Sequence, residues 1–414
     1  MTTSAPSSPP ARPPLLTLDE ALARLLGAVE PLPATQAERV STFDALGRVL
    51  ADDVHSTLDV PPADNTSMDG YAVRAADVPA AGAVLPVAQR IPAGVVGAPL
   101  AAGTAARVFT GAQVPPGADA VVMQEHCTAV DGGVRIDAVP EPGQWIRRRG
   151  EDVLRGDVVL GRGSRLTPQA LGLAASVGAA DLPVMRRPRV ALFSTGDELV
   201  MPGEPLKPGA IYNSNRYTLR GLLQGLGCEV SDLGIVPDRL DATRAALRRA
   251  AAGHDLIVTS GGVSVGEEDH LRPAVQAEGR IELWQIAIKP GKPLAFGRVA
   301  DTAWFVGLPG NPVSSFVTFV LAVRPLLLKL QGALDLAPRH LSLHAGFDWP
   351  RPDRRREFLR ARIGPGGTLE LFPNQSSGVL TSTVWADGLV DNPPGQAIAH
   401  GDAVRFLPFA ELLR

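Results

Sequence analysis

The sequence predicts a multidomain α/β protein with four kinds of domain. A doubly wound α/β domain is joined by a β-rich insert, a small mixed helical domain and a C-terminal β-barrel-like domain. The chain has 414 residues, too many for one ordinary hydrophobic core. Apolar residues make up 45% and charged residues 20%, which favours a globular fold over disorder. From residue 189, short apolar strands alternate with helical stretches, a pattern typical of parallel sheets with crossover helices.

The N-terminal part combines a tail with helical patterns. Residues 1–14 are rich in Ser, Pro and Ala, which predicts a disordered tail. Thr17 followed by Glu20 predicts a capping box that opens an amphipathic helix. A second helical pattern covers residues 40–54, and a third covers residues 165–177.

Between these patterns the chain changes to short apolar pieces separated by Gly, Pro, Asp and Asn, which predicts a β-rich insert. The α/β part has expected strands at residues 190–194, 229–236, 255–260, 282–288 and 303–308. Its expected helices lie at residues 214–226, 242–252 and 271–278, before a buried helix that starts near Pro312. The predicted boundaries are 15–58 with 144–186 for a discontinuous linking domain, 59–143 for the insert, 187–332 for the α/β domain and 333–414 for an all-β terminal domain.

Charge and composition limit the partners and the compartment. The net charge of −3 and pI near 6.2 lack the basic excess that attracts nucleic acids. Two cysteines make no disulfide framework, which fits a reducing compartment. The N-terminus lacks the apolar core of a signal peptide, and the longest apolar run, residues 316–330, contains Arg324 and Pro325. We therefore expect a cytoplasmic protein without nucleic-acid or membrane partners.

Loops beyond the carboxyl ends of the strands are the candidate ligand sites, because such sheets bind ligands there. The first covers residues 259–270, where Gly261 and Gly262 let backbone N–H groups approach an anion. Ser260 and Ser264 add hydroxyl donors, so a phosphate-bearing ligand would fit. A plain glycine turn is the alternative, because isolated glycine-rich turns are weak motifs.

The second loop contains Lys289, Lys292 and Pro293 in the segment KPGKPLAF. The chain has only four lysines, and two of them flank this one Pro-Gly turn. Neighbouring ammonium groups repel unless an anion lies between them, so the spacing favours an anion site. A solvated turn is the alternative.

The third loop leads into the helix that starts near Pro312. Asn311 suits the N-cap and Pro312 the first helical position, so the helix would offer free N–H groups and its positive dipole end to an anion. Pro309 and Ser314 lie on either side. A capping role alone also explains these residues.

Acidic residues lie at similar strand ends: Asp197, Glu198, Asp238, Glu267, Glu268 and Asp269. Carboxylates that face a phosphate are unfavourable unless a hard cation, typically Mg²⁺, lies between them. The pattern therefore predicts metal-assisted chemistry at a phosphate or anhydride. Each carboxylate alone could be a helix cap or a turn residue. Asp64, Asp69 and the segment RRRGED at residues 147–152 are typical of surface charge.

Seven segments, in order, resemble those of the molybdopterin molybdenumtransferase family, which includes the gephyrin E domain: DNTSMDGYAVR, FTGAQVPPGADAVVMQE, IRRRGEDV, ALFSTGDEL, SGGVSVGEED, KPGKP and GLPGNPVS. The resemblance implies an elongated homodimer whose α/β domain, related to molybdopterin adenylyltransferases, binds the pterin. It implies adenylated molybdopterin and molybdate as substrates, Mg²⁺ as cofactor, and AMP and molybdenum cofactor as products. The adenylyltransferase and other cofactor-biosynthesis proteins would be partners.

The resemblance also assigns roles to residues. The acidic positions of the α/β domain, implied to be catalytic and to bind metal, are Glu198, Asp238 and Asp269. The positions implied to face the active site of the other subunit are Asp69, Thr110 and Asp152. The implied molybdate pocket and its related anion contacts are Lys289, Lys292, Pro293, Arg360, Ser377, Ser264 and Ser314. The remaining implied substrate contacts are Ser260, Gly261, Gly262, Pro309, Asn311 and Pro312.

Two departures from the family pattern concern the same pocket. Gln285 stands where some relatives have a basic residue, which removes a positive charge near the anion. The segment NQSSGVLTS lacks a glycine that often precedes the pocket serine, so either Ser376 or Ser377 is the match. The alternatives to metal insertion are a molybdopterin adenylyltransferase, against which the length argues, and a gephyrin-like scaffold, against which the acidic and lysine positions argue.

Overall fold

The structure is a computed structural model that describes residues 15–263 and 270–413, with the backbone alone for residues 282–284. The expected disordered tail, residues 1–14, lies outside this part of the chain. The helices are Leu18–Ala28, Pro168–Ser176, Ser214–Gly225, Leu240–Ala251, Leu271–Glu278, Pro312–Thr318, Arg324–Leu330, Thr381–Trp385 and Phe409–Leu412. The predicted capping box is confirmed, because the Thr17 hydroxyl accepts from the Glu20 N–H at 3.2 Å and the Glu20 carboxylate accepts from the Thr17 N–H at 2.8 Å.

The α/β domain is built on a mixed sheet. Its strand order is Glu229–Val236, Arg189–Thr195, Leu256–Ser260, Ala303–Leu308, Pro293–Val299 and Gly279–Gln285. The neighbours within the first four strands are parallel, and the last two pairings are antiparallel.

The sequence did not indicate this antiparallel part. Pro293–Val299 follows the lysine turn directly and joins the next strand through a tight turn at Ala300 and Asp301, both with positive φ. A parallel pairing needs a crossover of a dozen or more residues. The short connection therefore makes a hairpin.

A long helical run forms the centre of the core. It comprises Pro312–Thr318, the π-helical segment Phe319–Val323 and Arg324–Leu330. By length and composition alone this run could cross a membrane, but 94% of it is buried inside the fold. The predicted buried helix is confirmed. Because the run is packed inside the fold, the position of its N-terminus is fixed.

The linking region contradicts one expectation, since residues 40–54 do not form a helix. Ala37–Ser41 pairs antiparallel with Asp181–Met185, and only a short 3₁₀ turn, Thr42–Asp44, follows. Gly47 has a φ of +74°, which interrupts a helix, and the next residues make isolated bridges to the segment after the insert. Long-range pairing therefore overrides the helical periodicity. Pro168–Ser176 confirms the third helical pattern, with Thr167 as its N-cap.

The insert is β-rich, as predicted. Its sheet has the order Ala120–Met123, Gly70–Val73, Ala105–Val108, Ala83–Ile91, Gly133–Ile136 and Cys127–Val130. Its two faces bury separate apolar clusters. The short pair Asn65–Thr66 with Ile146–Arg147 connects it to the linking region, and Val54–His55 pairs with Val158–Leu160 within that region.

The terminal domain has a curled sheet that includes a strand from the α/β part of the chain. The order is Ile288–Lys289, Arg356–Ile363, Gly388–Asn392, Ala403–Pro408 and Leu341–His344, with Leu369–Leu371 paired to the second. The short helices Thr381–Trp385 and Phe409–Leu412, which the sequence did not indicate, accompany it. Because Ile288–Lys289 is an edge strand of this sheet, the lysine turn is fixed to the terminal domain.

Candidate anion-binding site

Three parallel strands bring the first loop and its neighbours to one edge of the sheet. The Gly261 N–H donates to the Leu308 carbonyl at 3.1 Å. Gly261 has a φ of +89°, and a Cβ there would lie 2.8 Å from the Thr195 carbonyl oxygen. Only glycine fits this close approach of two backbones. The Ser260 hydroxyl lies 3.3 Å from the Ser194 hydroxyl inside the sheet, so it does not face the loop.

The acidic loops after two neighbouring strands meet at this edge. The Asp197 Oδ1 accepts from the Asp238 N–H at 3.2 Å. The Glu198 carboxylate folds over Gly196, where a Cβ would lie 2.6 Å from a carboxylate oxygen. These oxygen donors are the kind that Mg²⁺ prefers. Asp269, Ser264 and the other acidic residues of the first loop lie outside the described residues.

Within the described ranges, no group of three or more His, Cys, Asp or Glu side chains is close enough to hold a metal ion. Asp269, a ligand that the family resemblance implies, lies outside those ranges. Glu198 and Asp238 supply carboxylate oxygens, the kind of ligand that Mg²⁺ prefers.

Two buried hydroxyls that sequence reasoning missed lack a hydrogen-bond partner among the described residues. They are the Thr195 Oγ1, at a strand end, and the Ser315 Oγ, in the first turn of the Pro312 helix. A buried polar atom without a partner costs about 1–3 kcal/mol, so such atoms indicate contacts with a ligand or water. The sequence could have indicated both hydroxyls as site residues, because Thr195 lies at the end of a strand and Ser315 at the start of a helix.

The Pro312 helix begins where the sequence predicted. Pro312 is its first residue and Asn311 occupies the N-cap position. The expected cap hydrogen bond from the Asn311 side chain is absent. Instead the Ser377 carbonyl accepts from the Val313 N–H at 3.0 Å, so a loop of the terminal domain covers the helix start. The predicted N-cap position of Asn311 is confirmed, but a long-range contact from the terminal domain takes the place of the side-chain cap hydrogen bond.

The loop before this helix adjoins the first loop. The Asn215 side chain donates to the Gly310 carbonyl at 2.7 Å. A Cβ built at Gly310 would lie 3.8 Å from the Gly261 Cα. Pro309 is therefore held between the strand ends and the helix start, as expected for a shared site.

The lysine turn packs on the same helix. Gly291 has a φ of +113°, and a Cβ there would lie 2.4 Å from the Thr318 Oγ1. The Lys292 carbonyl accepts from the Ile286 N–H at 2.8 Å, and Pro293 begins the next strand. Gln285 ends the preceding strand, and its carbonyl accepts from the Leu16 N–H at 2.9 Å.

Lys289 already has anionic neighbours. Its Nζ lies 3.2 Å from the Glu357 Oε1 and 3.4 Å from the Asp353 Oδ2. The sequence suggested that repulsion between Lys289 and Lys292 would require a bound anion. The carboxylates of the terminal domain satisfy part of that requirement.

Arg360 is a fully buried cation near the start of the Pro312 helix. Its guanidinium donates to the Ser382 hydroxyl at 3.1 Å, the Phe358 carbonyl at 3.2 Å and the Ser376 carbonyl at 3.3 Å. In the described part of the chain, no carboxylate oxygen lies within 4.0 Å of it. Burial lowers the pKa of Arg360 to about 10. An arginine has five N–H donors, and these contacts engage three of them.

Ser376 and Ser377 lie in one loop between Arg360 and the helix start. The Ser376 carbonyl faces Arg360, whereas the Ser377 carbonyl faces the helix. Ser314, in the first turn of the helix, is 5% exposed. Arg360 with the serine pair and, separately, the lysine turn therefore each adjoin the Pro312 helix.

The residues that the family resemblance implies to face the other subunit's active site lie on the insert side. The Asp69 Oδ1 accepts from the Thr110 N–H at 2.7 Å and from the Thr110 hydroxyl at 2.8 Å. These hydrogen bonds lower the pKa of the Asp69 carboxyl. Asp152 is exposed, and its N–H donates to the Val60 carbonyl at 3.0 Å. Asp64 pairs with Arg148 at 2.7 Å, which confirms the surface-charge interpretation there.

The fold is that of a multidomain α/β protein whose polar loops lie at the strand ends of one sheet and at the start of a buried helix. Three family models match: "MoeA N-terminal region (domain I and II)" at residues 16–178, "Probable molybdopterin binding domain" at residues 191–329 and "MoeA C-terminal region (domain IV)" at residues 342–409. The chain belongs to the molybdopterin molybdenumtransferase family.

Relatives of known name or structure match over nearly the whole chain. The molybdopterin molybdenumtransferase of Haemophilus influenzae is 41% identical, over 96% of this chain and 100% of its own. Molybdopterin molybdenumtransferase 2 of Mycobacterium tuberculosis is 41% identical, over 90% and 93%. The crystal structure of the molybdopterin biosynthesis moeA protein of Pyrococcus horikoshii has a TM-score of 0.82 at 30% identity, over 95% and 100%.

Proposed function

We propose that this protein inserts molybdate into adenylated molybdopterin and releases AMP, giving molybdenum cofactor. The names of its relatives support this activity. The observation that carries the proposal is that the buried Arg360 and the lysine turn each adjoin the Pro312 helix, whose start lies beside the glycine loop. An oxyanion site thus adjoins a loop suited to a phosphate.

Molybdate is bound at the terminal-domain side of the site. Arg360 offers two N–H groups in a fixed, water-excluded position, and a charge-assisted hydrogen bond is roughly twice as strong as a neutral one. Lys289 and Lys292 add positive charge, and Pro293 fixes the end of their turn. Ser314 and Ser377 contribute from the helix start and its covering loop.

The adenylated pterin lies along the strand ends. The backbone N–H of Gly262 and the loop from Pro309 to Pro312 face its phosphate groups, Gly261 allows their close approach, and Ser260 contributes through its backbone. Ser264 belongs to the same loop. Mg²⁺ held by Glu198, Asp238 and Asp269 screens these carboxylates from the phosphates and supplies a Lewis acid when bound.

The insert side completes the site of a second subunit in a homodimer. Asp69 is partly exposed and held in one orientation by two hydrogen bonds from Thr110, which suits a residue that must meet a ligand from outside. Asp152 lies on the exposed segment that follows Arg148. The enzyme is cytoplasmic and receives its substrate from a molybdopterin adenylyltransferase of the same pathway.

Molybdate-dependent AMP release tests the proposal. The purified protein is incubated with adenylated molybdopterin and Mg²⁺, with and without molybdate, and AMP is measured by chromatography. We expect AMP release that requires molybdate and is matched by molybdenum in the product. Adenylation of free molybdopterin by ATP would instead indicate an adenylyltransferase, and no turnover with bound substrate would indicate a scaffold.

A further inference from the structure

Lys289 is attached to the terminal domain by its backbone. Ile288 and Lys289 pair in parallel register with Arg356 and Glu357, and the Arg356 N–H donates to the Ala287 carbonyl at 2.9 Å. The strand that faces Lys289 also carries Arg360 three residues beyond Glu357. The two cations assigned to the oxyanion therefore share one sheet.

Glu357 is a fixed carboxylate opposite Lys289. Its side chain is buried, and its Oε2 accepts from the Trp349 Nε1 at 2.8 Å and from the Asp353 N–H at 3.1 Å. Its other oxygen, Oε1, faces the Lys289 ammonium at 3.2 Å. Because the first oxygen is held from two directions, the second has a defined position.

Asp353 is the second carboxylate at this ammonium. Arg355 donates to both of its oxygens, at 3.0 and 2.9 Å, and holds the pKa of Asp353 well below its usual range. Lys289 lies 3.4 Å from the Asp353 Oδ2. Two cations and two anions balance in this cluster, so it does not attract a dianion by net charge.

The cluster orients the ammonium. Lysine has three N–H donors; one donates to Glu357, Asp353 lies at ion-pair distance, and the side chain remains 41% exposed. Donors therefore remain available on the exposed side. Holding a flexible side chain before the ligand arrives removes part of the entropy cost of binding.

We propose that Glu357 and Asp353 are positioning residues that aim the Lys289 ammonium at the oxyanion and thereby set the affinity for molybdate. This inference rests on the proposed function, and neither carboxylate touches the reacting atoms. A merely structural cluster would join the two domains without influence on molybdate. In a positioning role the carboxylates change molybdate binding through Lys289, whereas in a structural role they leave molybdate binding unchanged.

The variant Glu357→Gln distinguishes a positioning role of the carboxylates from a structural one. The glutamine oxygen still accepts from Trp349 and Asp353, while its amide NH₂ replaces the oxygen that faced Lys289. We expect the half-saturating molybdate concentration to rise about tenfold, the scale of one charge-assisted contact, with no change for adenylated molybdopterin. In a Lys289→Ala background the same substitution should have no further effect, because the carboxylate acts through the lysine.

The matched control is Asp391→Asn. Asp391 is equally buried in the same sheet and pairs with Arg356 at 2.6 Å, without a contact to Lys289 among those described. This variant should keep the wild-type molybdate requirement. If Glu357→Gln does not fold, Asp353→Asn, at a partly exposed position, should raise the requirement in the same direction. An unchanged requirement, or an equal effect in the Lys289→Ala background, overturns the proposal.

A readout without turnover keeps this test separate from the proposed function. Lys289 is labelled with an amine-reactive anhydride, and the rate is measured by peptide mass spectrometry. We expect labelling several times faster in Glu357→Gln than in wild type, because the ammonium is released. Equal rates overturn the positioning role, even in a protein that releases no AMP. A faster rate in Glu357→Gln, together with no AMP release by the wild type, would retain the contact between Glu357 and Lys289 and reject the proposed function.

Discussion

Replacement of Arg360 by methionine should separate stability from oxyanion binding. Burial lowers the pKa of Arg360 from 12.5 to about 10, which corresponds to roughly 3 kcal/mol against keeping the cation. Its three hydrogen bonds outweigh this, because hydrogen bonds of a charged group contribute about 1.5–3 kcal/mol each. Arg360→Met should therefore lower the free energy of unfolding without ligand by roughly 1.5–6 kcal/mol.

Molybdate should stabilise the wild-type protein against unfolding more than it stabilises Arg360→Met. At a concentration of 100 times its Kd, a ligand adds about 2.7 kcal/mol to the free energy of unfolding. Loss of a charge-assisted contact of about 1.5–3 kcal/mol raises the Kd roughly 10- to 150-fold. At the same molybdate concentration the variant should then gain only about 1.4 to 0.3 kcal/mol.

Urea denaturation with and without molybdate measures both quantities. The matched comparison is Arg356→Met on the same strand, which removes a partner of the buried Asp391. That variant should lose several kcal/mol without ligand but keep most of the molybdate increment, because a buried charge loses a partner. If Arg360→Met unfolds several kcal/mol more easily and keeps the full increment, Arg360 is structural and the oxyanion binds elsewhere.

Three further substitutions test other parts of the site. Asp238→Ala should abolish AMP release, because it removes a carboxylate that we propose to bind Mg²⁺; turnover at the wild-type rate would contradict this. Gly291→Ala should destabilise the protein by about 1–3 kcal/mol and weaken molybdate binding, since the new Cβ would lie 2.4 Å from the Thr318 hydroxyl; calorimetry measures both effects. Mixed dimers of Asp69→Ala and Asp238→Ala subunits should recover part of the activity, as assayed on tandem-tagged heterodimers. Complete inactivity of such heterodimers would locate the whole site within one subunit.

Local signals explain what the sequence predicted. The capping box at Thr17, the helix that begins at Pro312 and the glycine loop after Ser260 depend on neighbouring residues, and the structure has each of them. Alternating strands and helices also located the strand-end loops. The shared edge of the sheet then follows from parallel pairing alone.

Long-range pairing explains what the sequence did not predict. The contact between Lys289 and Glu357 joins residues 68 positions apart, and no local pattern indicates it. The helical periodicity of residues 40–54 was overridden by pairing with a strand beyond the insert. A long-range contact also explains why the Asn311 side chain makes no cap hydrogen bond: the Ser377 carbonyl, from the terminal domain, accepts from an N–H at the helix start. Pairings across domain boundaries therefore determine the oxyanion half of the site.

A crystal soaked with molybdate, measured at the molybdenum absorption edge, tests the central claim most directly. We expect one strong anomalous peak whose oxygens lie within hydrogen-bonding distance of Arg360, the lysine turn and the first residues of the Pro312 helix. An anomalous peak at another surface, or an empty pocket at a saturating molybdate concentration, would contradict the account.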